Sequence, residues 1–154
     1  MKKINLIVYD FDGVMTDNKV YIDQNGNEMV KVNRADGLAI SEIKKLGIQQ
    51  IIFSTEVNPV VAQRAMKLQI PYFQGIDNKK DSLIDYCKIN DIDIRQVAYV
   101  GNDINDIDAM AIAGFPFCPN NSHKSIKEIA DVIIPRNGGD GVIRELFDII
   151  KSGD

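Results

Sequence analysis

Asp10 and Asp12 stand two residues apart in Asp10-Phe11-Asp12-Gly13, directly after the apolar run Ile4–Tyr9. Two residues apart in extended chain, both carboxylates can point the same way, and Gly13 permits a tight turn after them. Downstream come Ser54-Thr55-Glu56, then Lys79, then Gly101-Asn102-Asp103 with Asp106. Each type has a task in phosphoryl transfer. An ionised carboxylate can attack phosphorus. A phosphate dianion repels it, and a hard divalent cation held by oxygen ligands removes the repulsion; magnesium suits such a site. A lysine adds compensating charge. A hydroxyl donates to a phosphate oxygen, and a second carboxylate protonates the leaving alcohol and then activates water.

Taken singly, these signals are weak. A lone Asp-x-Asp is often a solvated loop pair, Ser54 is more often a cap, and Lys79 is more often a solvated helix residue. Gly101-Asn102-Asp103 alone reads as a turn with a capping aspartate. Their common placement decides the matter, so the elements that carry them come next.

Ile4–Tyr9, Gln50–Phe53, Val97–Val100, Phe115–Cys118 and Val132–Ile134 are short apolar runs bounded by Gly, Pro, Asn or Asp, the pattern of buried strands. Pro71–Gln74 is a weaker candidate. Between them lie amphipathic stretches at Gly37–Leu46, Pro59–Leu68, Lys80–Asn90, Asn105–Ala113 and Ser125–Ile129, with a closing helix at Gly141–Ile150. This alternation predicts an α/β fold, a Rossmann-like three-layer sandwich with a parallel central sheet. Ligands of such sheets bind beyond the carboxyl ends of the strands, which is where the chemistry-bearing residues fall. Lys19–Asp23 and Glu28–Val32 flank Gln24-Asn25-Gly26-Asn27, so a β-hairpin is expected after the first strand.

The chain has 154 residues, 45% of them hydrophobic and 26% charged, which suits one globular domain over 1–154. A net charge of −4 and the lack of a basic run argue against a nucleic-acid partner. Lys2 and Lys3 precede an apolar stretch too short for a leader, and no stretch is long enough to span a bilayer. Cys87 and Cys118 are widely spaced, as in reduced cytosolic chains. A cytoplasmic location is expected. Lys151–Asp154 is expected to fray, and His123, the only histidine, reads as a loop residue.

The ordered set Asp10-Phe11-Asp12-Gly13-Val14, Ser54, Lys79, and Gly101-Asn102-Asp103 with Asp106 resembles the four motifs of the haloacid dehalogenase superfamily. Asp12-Gly13-Val14-Met15-Thr16-Asp17, Asp36-Gly37-Leu38-Ala39-Ile40, Gly75–Lys79 and Gly138–Glu145 resemble segments of its capless sugar-acid phosphatase branch. The resemblance implies a magnesium-dependent phosphatase with no cap domain and a hairpin flap. It implies Asp10 as nucleophile and metal ligand, and Asp12 as general acid/base with its carbonyl on the metal. Lys79, Ser54 and Thr55 would serve the phosphate. Glu56, Arg64 and Lys67 would serve the rest of a sugar-acid phosphate. A homotetramer with sites completed by neighbouring subunits is implied as well.

Two departures bear on this. Asn102 stands where the family's metal-binding aspartate is expected, which leaves Asn102 or Asp103 as the further ligand. Glu56 replaces the arginine usual in octulosonate enzymes and resembles relatives acting on nine-carbon acids. A nine-carbon 9-phosphate is therefore the expected substrate, with 3-deoxy-octulosonate 8-phosphate as the alternative. A non-catalytic oligomerisation module of the kind linked to acylneuraminate cytidylyltransferases is the other-class alternative; the retained Asp10 argues against it.

Overall fold

The central strand sets the architecture. In this computed structural model, which describes residues 3–153, β1 (Leu6–Asp10) is buried at all five positions. Strands buried on both faces read as continuous apolar runs rather than alternating ones, and Leu6-Ile7-Val8-Tyr9 is such a run. Lys2 and Asp154, named above, lie outside the described residues.

β1 pairs in parallel with β4 (Gln49–Phe53) and with β6 (Val97–Val100). Beyond β4 lies β5 (Tyr72–Phe73), and beyond β6 lie β7 (Phe115–Pro119) and β8 (Val132–Ile134). The six-stranded order is β5-β4-β1-β6-β7-β8, every pair parallel. The order reverses between β1 and β6, which makes their carboxyl ends the rim of a crevice.

Helices cover both faces. On one side α1 (Arg34–Lys45), α2 (Pro59–Leu68) and α6 (Val142–Ser152) bury Ile40, Ile43, Val61, Ala65, Ile143 and Leu146 against Ile7, Tyr9, Ile52 and Val100. On the other, α3 (Lys79–Ile89), α4 (Ile107–Ile112) and α5 (Lys124–Ile129) bury Leu83, Ala109, Met110 and Ile126 against Leu6, Val8, Phe53 and Tyr99. Neighbouring strand residues point to opposite faces, so β1 feeds both cores in turn. No helix among the described residues is long and apolar enough to cross a membrane.

The hairpin is shorter than the sequence suggests: β2 (Tyr21–Ile22) pairs with β3 (Glu28–Met29), and only the Thr16–Val32 bridge extends it. Asp23 closes the turn, and its N–H still donates to the Asn27 carbonyl at 3.1 Å. Its Oδ1 accepts from the backbone N–H groups of Asn25 (2.8 Å) and Asn27 (2.9 Å), a side-chain turn that competes with strand pairing. Helix α1 starts earlier than Gly37. Asn33 caps it by accepting from Ala35 N at 2.8 Å, and Asp36 already lies in its first turn. The closing helix continues through Ser152, so Lys151 and Ser152 are helical rather than frayed.

Candidate active site

Asp10 is the last residue of β1, and Phe53 is its neighbour on β4. The turn that follows is built around Thr16. Its hydroxyl accepts from Gly13 N (3.2 Å) and Asn18 N (3.1 Å) and donates to Asp12 Oδ1 at 3.3 Å. Gly13 has φ +87°, and a Cβ there would run into the Asn102 side chain. The glycine is thus needed twice, for its backbone and for the approach of Asn102.

Beneath this turn lies a buried charge network. Lys79, the first residue of α3, is 3% exposed. Its Nζ donates to Asp106 Oδ1 at 2.8 Å and lies 3.1 Å from Asp10 Oδ1. Asp106 is fully buried and also accepts from the Tyr99 hydroxyl (2.9 Å) and from Asn102 N (3.0 Å). Phe11 N donates to Asp10 Oδ1 at 2.7 Å.

Burial, then the neighbouring Asp106 charge, pushes the Asp10 carboxyl well above its usual range, and Lys79 opposes this. Burial pulls the Lys79 ammonium down, but Asp10 and Asp106 together outweigh it and raise it. One lysine facing two carboxylates leaves a negative charge uncompensated.

Asn102 lies two residues past β6. The end of its amide faces Asp10 Oδ2 at 2.8 Å and the Asp12 carbonyl oxygen at 3.0 Å. With its nitrogen turned that way, it donates to both. With its oxygen turned that way, three oxygens converge. An octahedral magnesium with ligands at about 2.0–2.1 Å has neighbouring ligands about 2.9–3.0 Å apart. The spacing and the excess negative charge therefore fit a hard divalent cation. No group of three or more His, Cys, Asp or Glu side chains among the described residues is arranged for a metal. This set instead combines one carboxylate, one peptide carbonyl and one amide.

Above the network opens a cleft of about 390 Å3, bordered by Asp10, Asp12, Ser54, Thr55, Glu56, Asn102 and Asp103. Buried Ser54 directly follows β4, and its Oγ accepts from Glu56 N at 3.1 Å. Glu56 is held further by Gly75 N, which donates to its carbonyl at 3.0 Å. Burial first, then the Glu56 charge, raises the half-buried Asp12 carboxyl. Asp103 turns its Oδ1 to Ile104 N at 2.7 Å and caps the 3-10 turn Ile104–Asp106, so Asn102 is the nearer side chain to the converging oxygens.

Two expected site residues lie elsewhere within this chain. Arg64 and Lys67, on α2, border a separate basin of about 370 Å3 with Arg34 and Lys44. Arg64 Nη2 donates to the Asn33 carbonyl at 3.2 Å, which directs it toward α1 rather than toward Asp10. Lys79 does not border the cleft; it sits behind Asp10.

Sequence reading missed Thr16, Tyr99, Asn18 and Asn105, the last two on the cleft rim. Thr16 carried a usable signal, a hydroxyl four residues after Asp12. Tyr99 carried none beyond being a polar-tipped aromatic in a buried strand. The turn 138–141 packs directly against the turn that follows Asp12. Gly139 N donates to the Val14 carbonyl at 3.2 Å, and a Cβ on Gly138 would strike the Gly13 carbonyl.

Known proteins resemble this chain in sequence and fold. A haloacid dehalogenase-like hydrolase profile matches residues 74–146. The chain is 30% identical over 151 residues to the 3-deoxy-D-manno-octulosonate 8-phosphate phosphatase of Haemophilus influenzae, covering 97% of this chain and 84% of that one. It superimposes with a TM-score of 0.95 and 30% identity on the same enzyme from Moraxella catarrhalis, solved with magnesium, phosphate and the sugar acid, over 99% of this chain and 88% of that one. A structure described as a HAD family hydrolase from Streptomyces avermitilis gives 0.92 at 44% identity, over 94% of this chain and 83% of that one.

Proposed function

The chain belongs to the haloacid dehalogenase-like hydrolases, in the capless branch of the 3-deoxy-D-manno-octulosonate 8-phosphate phosphatases, and from that premise we propose that it hydrolyses the phosphate monoester of a 3-deoxy sugar acid through Asp10. The observation that carries this is the convergence of Asp10, the Asp12 carbonyl and Asn102 above the buried Lys79–Asp106 pair.

Asp10 attacks phosphorus and forms an aspartyl-phosphate. Phe11 N and Lys79 hold its Oδ1, which fixes the carboxylate for attack. Ser54 and Thr55, on the border of the cleft, donate to the transferring phosphate. Asp12, whose raised pKa favours holding a proton, delivers it to the leaving sugar oxygen. It then takes a proton from the water that cleaves the aspartyl-phosphate. Magnesium is the cofactor, and when bound it offsets the repulsion between the carboxylate and the phosphate dianion. Asp10, the Asp12 carbonyl and Asn102 would hold it. Asp106 positions Lys79 and the backbone of Asn102.

The named relatives favour 3-deoxy-octulosonate 8-phosphate as substrate. Glu56 on the cleft rim supports a nine-carbon 9-phosphate as the second reading, since a carboxylate accepts from sugar hydroxyls. The hairpin supports self-association: Tyr21 (62%), Ile22 (65%) and Met29 (66%) leave apolar surface exposed. In a homotetramer a neighbour's Arg64 and Lys67 would supply the cations that a sugar carboxylate requires. The test is phosphate release from both sugar-acid phosphates, with magnesium and with chelator. Release from neither refutes the reading. A higher kcat/KM on one assigns the chain length.

A further inference from the structure

Glu56 borders two cavities, not one. Besides the cleft over Asp10, it borders a hollow of about 540 Å3 between the hairpin turn and the start of α2. Asn27, Glu28 and Asn58 also line that hollow. Its floor is braced. Glu28 Oε2 accepts from Asn58 Nδ2 at 2.8 Å, and Asn58 Oδ1 accepts from Val60 N at 3.0 Å, so the amide is pinned at both ends. The Asn58 carbonyl accepts from Gln74 Nε2 at 2.8 Å. The hairpin is thereby tied to the loop that carries Ser54 and Glu56.

We propose that Glu28 is a specificity-determining residue that accepts hydrogen bonds from the hydroxyls of the sugar chain as it leaves the phosphate site over Glu56. This rests on the sugar-acid phosphate reading above. An ionised carboxylate has about four acceptor sites and no donor, and Asn58 uses one of them. Two carboxylates along one ledge repel an anionic chain and take donors, which is what the neutral polyol stretch of a sugar acid offers. The acid's own carboxylate then lies beyond both glutamates.

The test is a ratio: kcat/KM for 3-deoxy-octulosonate 8-phosphate over kcat/KM for p-nitrophenyl phosphate, an ester with no hydroxyls, both with magnesium. Glu28 is exposed in this chain but sits on the hairpin beside Met29, so Glu28→Gln and Glu28→Ala are compared with wild type at the same oligomeric state, checked by size-exclusion chromatography. The ratio falls about tenfold in Glu28→Ala, the scale of one charged hydrogen bond, and less in Glu28→Gln, which keeps one oxygen acceptor. A ratio within about twofold of wild type in both variants overturns the inference while leaving the phosphatase reading intact. Wild-type protein that shows no preference for the sugar-acid phosphate overturns the substrate reading, and this inference with it.

Discussion

Asn102, two residues past the end of β6, meets the Oδ2 of Asp10, the last residue of β1, at 2.8 Å across the point where the sheet order reverses. The contact joins the two strand ends that frame the crevice. It also gives the site two arrangements. With nitrogen inward, the amide bonds Asp10 and the Asp12 carbonyl; with oxygen inward, it joins them as a third oxygen. An aspartate at 102 would have only the second, and would add a charge beside two buried carboxylates.

Asn102→Asp is therefore expected to tighten magnesium binding and weaken the metal-free protein. The added charge lies close to the cation, and about tenfold less magnesium at half-maximal activity is expected. Magnesium titration of activity, with urea unfolding in chelator, checks both halves. If the magnesium midpoint does not move, Asn102 does not touch the cation.

Lys79 bridges Asp10 and Asp106, and removing it leaves two carboxylates facing each other in the core with no cation between them. Lys79→Met is expected to lose about 3–5 kcal/mol of stability, the cost of breaking a buried ion pair by deleting one partner. Magnesium is expected to restore part of that loss by binding the folded state. Urea midpoints with and without the metal measure it.

Asp36 makes stability depend on pH away from the catalytic cleft. It is 2% exposed and accepts from Ile143 N and Arg144 N, both at 3.1 Å, at the start of α6. Burial raises its carboxyl from the ordinary 3.8 to about 6, against the pull of those two bonds. The folded state thus holds the proton more tightly than the unfolded chain. The stability from this group is full below about pH 4 and falls as pH climbs through about 6. Asp36→Asn keeps an oxygen acceptor and cannot titrate. Between pH 4 and 7 the wild type is expected to lose about 3 kcal/mol relative to this variant.

A Cβ on Gly138 would strike the Gly13 carbonyl and crowd the Thr16 carbonyl, at the turn that holds Asp12. Gly138→Ala is expected to cost about 1–3 kcal/mol through overpacking and to displace the Asp12 carbonyl. The expected signature is a higher magnesium requirement alongside lower kcat. A purely thermal effect, with the magnesium dependence unmoved, would mean the turn does not position the site.

The strands were legible because buried parallel strands leave an apolar run ended by charge, as Leu6–Tyr9 before Asp10 does. The helix pattern was legible too, but the start of α1 was misread. Asp36-Gly37 resembles a break until one sees that Asp36 serves α6, over a hundred residues away. Such long-range hydrogen bonds leave no local trace. Lys79 is expected at the phosphate, and its place behind Asp10 was not legible for the same reason: the two carboxylates that allow its burial lie on other segments. Arg64 and Lys67 share a helix face, as their spacing requires, yet that face lies over α1 and not over Asp10. Spacing fixes which residues keep company, not which cavity they face.

The most direct measurement compares wild type with Asp10→Asn on 3-deoxy-octulosonate 8-phosphate. The substitution keeps size and the oxygen that Phe11 N bonds, and removes the nucleophile. Wild type is expected to release phosphate with magnesium and to stop in chelator. Asp10→Asn is expected to release none above background while binding the sugar-acid phosphate. Turnover by Asp10→Asn at the wild-type rate would contradict the account.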